Sequence, residues 1–318
     1  MVALTAPFPW FGGKRKVAPM VWAAFGNIVN YVEPFFGSGA VLLGRPEGWR
    51  GPETINDKDM FVANFWRALQ ADPDAVTDHA DWPVNEADLE ARHHWLVNDG
   101  RALLSHCMGD PRWYDAEIAG WWVWGQCTWI GSNWCGGVDG GWRWSTGDGW
   151  IAGGSAGSGI NRQLPHLGNA GRGINRQRMD VRGYMHALAD RLRGVRVCCG
   201  DWARVCGPTP TSKLGLTGVF LDPPYAAERS ECYAEESFDV SAEVRAWCVA
   251  NGDNPQLRIA LCGYEGEHDE MPSSWRCVGW KAHGGYGNQS EGRGRENSHK
   301  EKIWFSPACI GPAQGSLL

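Results

Sequence analysis

The residues best placed to do chemistry in this 318-residue chain are Asp222-Pro223-Pro224-Tyr225, which directly follow the apolar run Gly218-Val219-Phe220-Leu221. Such a run reads as a short buried strand. Two prolines after a carboxylate stop it, because each fixes its own φ, lacks an N–H and drives the preceding residue to extended geometry. The strand therefore ends on a rigidly held acid and a carbonyl of fixed direction, and open α/β sheets carry their chemistry at that end. Taken alone, the tetrapeptide reads more simply as a strand entering a proline turn with a capping aspartate, so its meaning depends on what accompanies it.

Much earlier, Tyr31-Val32-Glu33-Pro34-Phe35-Phe36-Gly37-Ser38-Gly39-Ala40 begins as an apolar strand and breaks into a glycine turn, after which Ala40-Val41-Leu42-Leu43 opens a helix. Glycines let the backbone bend tightly and let a ligand approach atoms that a Cβ would shield. Asp57 follows Gly37 by 20 positions, at the end of the stretch Thr54-Ile55-Asn56-Asp57. That interval suits a carboxylate accepting hydrogen bonds from ribose hydroxyls. A glycine turn means little in a chain with 43 glycines. Set between a strand and a helix, with an acid at ribose distance, it points to a nucleoside cofactor. A third segment, Pro9-Trp10-Phe11-Gly12-Gly13-Lys14, combines aromatics, paired glycines and a lysine suited to closing over a ligand that carries a carboxylate.

In this order the three segments resemble the DNA adenine-N6 methyltransferases of the Dam type, bacterial and phage enzymes, some of restriction-modification systems. Their pattern runs from W-x-G-G-K through E-P-F-x-G-x-G to D-P-P-Y. Cys199-Gly200-Asp201-Trp202 stands where that family has a strand ending in an acid. Leu257 to Cys262 is similar to the strand after the catalytic loop, and Lys302 to Ser306 to the terminal strand. The resemblance covers most of residues 7–68 and 194–307.

The resemblance implies a doubly wound, Rossmann-like α/β sheet, discontinuous in sequence over residues 1–60 and 195–312. An inserted helical and irregular DNA-recognition domain would occupy 61–194. It implies S-adenosylmethionine as cofactor, S-adenosylhomocysteine as product, and no metal. Trp10, Gly12, Gly13, Lys14, Glu33, Pro34, Phe35, Gly37, Gly39, Asp57, Asp201 and Trp202 would form the cofactor site, Asp57 holding the ribose and Asp201 facing the adenine amine. Asp222, Pro223, Pro224 and Tyr225 would be catalytic. An adenine amine is a poor nucleophile because its lone pair is delocalised into the ring. Two acceptors aimed at its hydrogens, the Asp222 carboxylate and the Pro223 carbonyl, would favour a pyramidal nitrogen with its lone pair directed at the sulfonium methyl. Tyr225 offers a face for the base once it is flipped from the duplex. Direct in-line transfer then requires neither a metal nor a cysteine nucleophile, since alignment supplies much of the rate.

At 43% hydrophobic, the chain can bury one large core or two unequal ones. No apolar run approaches a membrane span and the N-terminus lacks a basic segment followed by an apolar one, so a soluble, cytoplasmic protein is expected. The 11 cysteines are odd in number and none lies in C-x-x-C or zinc-like spacing; they read as reduced thiols, mostly core fillers. His93 and His94 are adjacent, which points their side chains apart.

The net charge of −6 suits a DNA-binding protein only when divided along the chain. Residues 160–200 hold Arg162, Arg172, Arg176, Arg178, Arg182, Arg191, Arg193 and Arg196 against Asp180 and Asp190, a net of +6, so the remainder carries −12. The basic footprint is local. Part of it reads as a solvated helix face over Asp180 to Arg193. Residues 61–110 carry a helical period, with Phe61, Phe65, Trp66 and Leu69 at three- and four-residue intervals. From 113 to 150 there are nine tryptophans among glycines. They read first as a compact satellite core, and otherwise as aromatic surface for bases. Gly157-Ser158-Gly159-Ile160-Asn161-Arg162-Gln163 is echoed by Gly171-Arg172-Gly173-Ile174-Asn175-Arg176-Gln177, two loops suited to phosphate or groove contact.

A cytosine-N4 methyltransferase needs the same chemistry but more often resembles S-P-P-Y, and a protein-glutamine methyltransferase resembles N-P-P-Y. A catalytically silent DNA-binding module would have no use for an intact Asp222 and glycine turn. Oligomeric state, as monomer or weak dimer, is not legible in these motifs. If Arg162, Arg172, Arg176 and Arg178 meet DNA, binding weakens steeply with salt as counterion release loses its entropy gain. Replacing Arg162 and Arg176 together should then lower affinity uniformly across sequences and flatten the salt slope, as phosphate contacts do. Loss confined to one preferred sequence would mean base readout instead, and parent-like binding at every salt concentration would make the segment structural.

Overall fold

The computed structural model describes residues 4–10, 13–110, 112–129, 134–135, 180–224, 237–280 and 301–311, and the backbone of 142–145 and 149–152; of 237–239 only the backbone is described. The two echoed glycine loops lie outside the described residues. The rest falls into two compact units: one comprises the described residues of Gly12–Lys58, Gly194–Arg229 and Glu235–Leu318, the other those of Met1–Phe11 and Asp59–Arg193. Among the described residues no helix is long and apolar enough to cross a membrane.

The first unit is built on a seven-stranded sheet of β1 (Asn30–Glu33), β2 (Glu53–Asp57), β3 (Val195–Cys199), β4 (Thr217–Leu221), β5 (Leu257–Tyr264), β6 (Arg276–Gly279) and β7 (Glu301–Phe305). Their order is β3-β2-β1-β4-β5-β7-β6. The first five run parallel to their neighbours, and β7 is antiparallel to both β5 and β6. Every residue of β1 and β4 is buried, as expected of parallel strands covered on both faces. This is a Rossmann-like α/β sheet with one antiparallel strand inserted near its edge. The chain runs outward from β1 to β3 and returns to place β4 on the other side of β1, which makes the carboxyl ends of β1 and β4 the topological switch point.

Register fixes what emerges there. Val32 lies opposite Val219, so Glu33 and Asp222 leave the same end of adjacent strands. Helix α1 (Ala18–Phe25) buries Val21, Trp22 and Phe25, and α2 (Ala40–Leu43) follows the glycine turn. Val244 and Cys248 of the helix Ser237–Asn251 join Val219, Leu221, Ile259 and Leu261 in one apolar core.

In the second unit, the helical period of residues 61–110 becomes α3 (Met60–Ala71), α4 (Pro73–Ala80), α5 (Glu86–Trp95) and α6 (Arg101–Cys107), joined by α7 (Ala116–Thr128) and α8 (Val181–Leu192). Short polar side chains start five of them: Asp59, Asp72, Asn85, Asp115 and Asp180 each accept a hydrogen bond from a backbone N–H of the first turn. Of the tryptophans between 113 and 150, the side chains of Trp142, Trp144 and Trp150 lie outside the described residues, and most of the others pack inward. Trp122, Trp124, Trp129 and Trp134 are buried, with Trp122 against Phe8 at 5.0 Å and Phe65 at 5.9 Å. His93 stacks on Trp129 at 5.1 Å, and burial pushes its pKa down to about 4, so it is neutral at pH 7. Arg182 pairs with Asp74 and Asp78; that arginine belongs to a helix face. All ten described cysteines are free, half of them buried.

Helices α4 and α7 approach closely at Gly120, where a Cβ would stand 2.4 Å from the His79 Cβ and 2.7 Å from the Val76 carbonyl oxygen. Those atoms belong to a helix backbone and its Cβ, which do not move aside cheaply. Gly120→Ala is therefore expected to lower stability by about 1–3 kcal/mol through overpacking, outweighing the gain of roughly 1 kcal/mol in helix propensity. Thermal unfolding checks this, and a raised melting temperature would show that the two helices separate freely.

Candidate active site

At the end of β1, Tyr31 and Glu33 are two residues apart and so share one face of the strand. The Tyr31 hydroxyl donates to Glu33 Oε2 at 2.8 Å, and the Glu33 side chain is buried. Burial pushes the Glu33 carboxyl well above its ordinary range, the Tyr31 hydrogen bond works the other way, and the Asp222 carboxylate adds to the rise. The neutral acid is the favoured form there.

Asp222 leaves β4 beside it and meets Lys14. Lys14 sits in a single 3₁₀ turn, Lys14–Lys16, just after Gly13, with its side chain 5% exposed. Its Nζ lies 3.0 Å from Asp222 Oδ1 and 3.5 Å from Glu301 Oε2, and 5.6 Å from the centre of the Trp280 ring. Burial alone would lower the pKa of this ammonium; the Asp222 and Glu301 carboxylates hold it above the ordinary lysine value. The lysine is therefore a buried, permanent cation. The carboxylate it reaches is the protein's own. Cys262 beside it is a buried thiol whose pKa burial pushes well up, so it is no nucleophile.

The glycine turn folds against β2. Gly37 and Gly39 have φ of 47° and 71°, and the Gly37 N–H donates to Asp57 Oδ2 at 2.8 Å. At Gly39 a Cβ would fall 2.6 Å from the Phe36 ring, so both the conformation and the space exclude a side chain. Asn56, buried in β2, donates from Nδ2 to the Pro34 carbonyl at 3.0 Å and to the Gly200 carbonyl at 2.9 Å. One amide thus ties the loops that follow β1 and β3. Beyond β3, Asp201 Oδ1 accepts from the Ala203 N–H at 2.8 Å and starts the short helix Ala203–Cys206. Trp202 is buried and stacks on Phe35 at 6.2 Å.

The carboxyl ends of β1 to β4 therefore gather Gly13, Lys14, Glu33, Pro34, Phe35, Gly37, Gly39, Asp57, Asp201, Trp202, Asp222, Pro223 and Pro224 within one unit. Trp10 belongs to the other unit, where it packs on Phe8 at 5.7 Å and Trp122 at 6.2 Å. Gly12, Tyr225, Arg162, Arg172, Arg176 and Arg178 lie outside the described residues. Sequence reasoning missed Asn56 and Glu301. An amide inside a buried strand was a usable signal for Asn56, since buried polar groups have partners to find; Glu301 precedes the apolar run that marks its strand and carried none.

Residues 10–93 match the family model of the D12 class N6 adenine-specific DNA methyltransferases. The supported activity is methyl transfer to DNA. It is site-specific, at the N6 amine of adenine, and the family implies S-adenosylmethionine as the methyl donor. No curated protein matches the chain. The match begins at Trp10 and takes in Lys14, the glycine turn and Asp57; Asp222 and Glu301 lie beyond it.

The buried Glu33 gives this cluster a pH signature. Its folded pKa is raised above 4.5, so with rising pH the unfolded chain gives up this proton while the fold still holds it, and stability falls through that window. Glu33→Gln cannot titrate and keeps an acceptor for Tyr31. In urea unfolding its stability relative to the parent should grow as pH rises above 4.5; a difference that stays flat would mean that Glu33 ionises in the fold as easily as in water.

Proposed function

We propose that the carboxyl ends of β1 to β4 form the methyl-transfer site of a Dam-type adenine-N6 methyltransferase, in which Asp222 and Pro223 hold the target amine. The observation that carries this reading is the Asp222 carboxylate, fixed at the switch point by Lys14 at 3.0 Å. Lys14 supports the reading by orienting Asp222, and the carbonyl of Pro223 is aimed in advance by the proline ring. Two acceptors so held match the two hydrogens of an exocyclic amine and draw its lone pair out of the ring plane, a form of electrostatic preorganisation. Tyr225 follows directly as the face on which a flipped base stacks.

The neighbouring residues suit S-adenosylmethionine. Gly37 and Gly39 keep the turn low, and Trp202 Nε1 is a buried donor without a hydrogen-bond partner among the described residues. In this reading Asp57, braced by Gly37, takes the ribose, Asp201 the adenine amine, and Phe35 and Trp202 wall the nucleoside, with Glu33, Pro34, Gly13 and Gly12 completing the cofactor side. The cofactor supplies an activated methyl group whose carbon–sulfur bond breaks as the nitrogen–carbon bond forms, leaving a neutral thioether. The segment 61–194 then serves as an inserted target-recognition domain, with Arg162, Arg172, Arg176 and Arg178 meeting phosphates.

Asp222→Ala tests the assignment. Methyl transfer should fall by at least about a hundredfold, the scale for losing one preorganised group at a reacting centre, while calorimetry shows S-adenosylmethionine affinity within a few-fold of the parent's, since the lost acceptor serves the amine. Near-normal turnover by this variant would remove Asp222 from the chemistry.

A further inference from the structure

Glu301 opens β7 opposite Tyr264 of β5, and no motif gives it a role. Its side chain is 5% exposed, yet it stands 3.5 Å from the Lys14 ammonium that already pairs with Asp222 at 3.0 Å. Burying a carboxylate costs desolvation. With Asp222 already paired to Lys14, the second carboxylate changes the net charge of the group.

We propose that Glu301 is a positioning residue for methyl transfer: by sharing the Lys14 ammonium it stops that cation from neutralising Asp222, and gives Lys14, Asp222 and Glu301 together one net negative charge beside the target amine. This rests on Asp222 being the acceptor of that amine. Direct transfer brings a positive sulfonium next to the amine, hence next to Asp222. As the nitrogen–carbon bond forms, the positive charge passes to the exocyclic nitrogen; one of its hydrogens then leaves as a proton to the Asp222 carboxylate, and on to water as the product departs. A cation therefore stands beside Asp222 at every stage before that proton leaves. An exactly compensated Lys14–Asp222 pair offers it little, whereas a triad of two carboxylates and one ammonium favours it throughout.

The probe is the pair of S-adenosylmethionine, which is cationic at sulfur, and S-adenosylhomocysteine, which is neutral there. Calorimetry on the DNA-free enzyme gives their affinity ratio, and single-turnover assays give the transfer rate. Glu301→Gln should cut the preference for the cationic ligand by about 5–20-fold and the transfer rate by about 10–100-fold, with the affinity for S-adenosylhomocysteine within about threefold. The double variant Lys14→Met with Glu301→Gln removes one charge of each sign and leaves Asp222 with the same net charge, so its ligand preference should return toward the parent's. A merely structural role predicts additive damage instead. A parent-like ratio in Glu301→Gln, or a ratio in the double variant below that of Glu301→Gln, overturns the proposal. Should Glu301→Gln fail to fold, the double variant carries the test: a ratio near the parent's supports the proposal and a lost preference overturns it. Asp222→Ala separates the two levels. If that variant is inactive while Glu301→Gln behaves as the parent, only the role of Glu301 fails; if Asp222→Ala turns over normally, the underlying site assignment fails.

Discussion

The buried ammonium of Lys14 constrains everything around it. A lysine at 5% exposure keeps its charge only if carboxylates surround it closely enough to outweigh lost hydration. The fold supplies them from two places distant in sequence: the end of β4, through Asp222, and the start of β7, through Glu301. Neither strand reaches the lysine unless the sheet has its observed order, with β7 inserted antiparallel beside β5. The sheet topology and the ion cluster are therefore one requirement, since a shift of β7 by one residue would turn Glu301 to the opposite face.

The loops after β1, β2 and β3 depend on something different, the backbone groups at strand ends. Four strands stop within one small region, and their carbonyls and N–H groups need partners. Asn56 takes the Pro34 and Gly200 carbonyls, Asp57 takes the Gly37 N–H, and the Gly200 N–H bonds the Asp57 carbonyl at 3.0 Å. These bonds are made before any ligand arrives. The loops are consequently held in place by β2, the strand between them, rather than by what they bind.

Much of this was legible in the sequence wherever glycine or proline punctuates an apolar run. Gly218 to Leu221 followed by Asp222-Pro223-Pro224 marks β4 and its end, and Tyr31 to Glu33 followed by Gly37 and Gly39 marks β1, the turn and α2. The helical period from Phe61 to Leu69 marks α3. Local rules suffice there because φ restrictions and side-chain period act over a few residues. Ion pairing does not. Lys14 reads as a hand for a ligand's carboxylate, and its pairing with Asp222 could not be read because Asp222 is distant in sequence. Glu301 was invisible for the same reason, since a buried acid before an apolar run looks like an exposed one until its partner is known. The tryptophans were ambiguous for a related cause: an aromatic-rich stretch packs inward or faces outward according to what the rest of the fold lays against it, here Phe8 and Phe65.

The order of the triad along the chain has a consequence for biosynthesis. A ribosome delivers Lys14 first, then Asp222 and then Glu301. Domains generally fold as units during synthesis, but the lysine's pocket is unfinished until the final strand has joined the sheet. Before that moment a nascent chain that has already assembled β1 to β5 carries its buried cation without the full set of counter-charges, and has reason to hold its N-terminal turn open. The ion cluster of Lys14, Asp222 and Glu301 is thus complete only once β7 has joined the sheet.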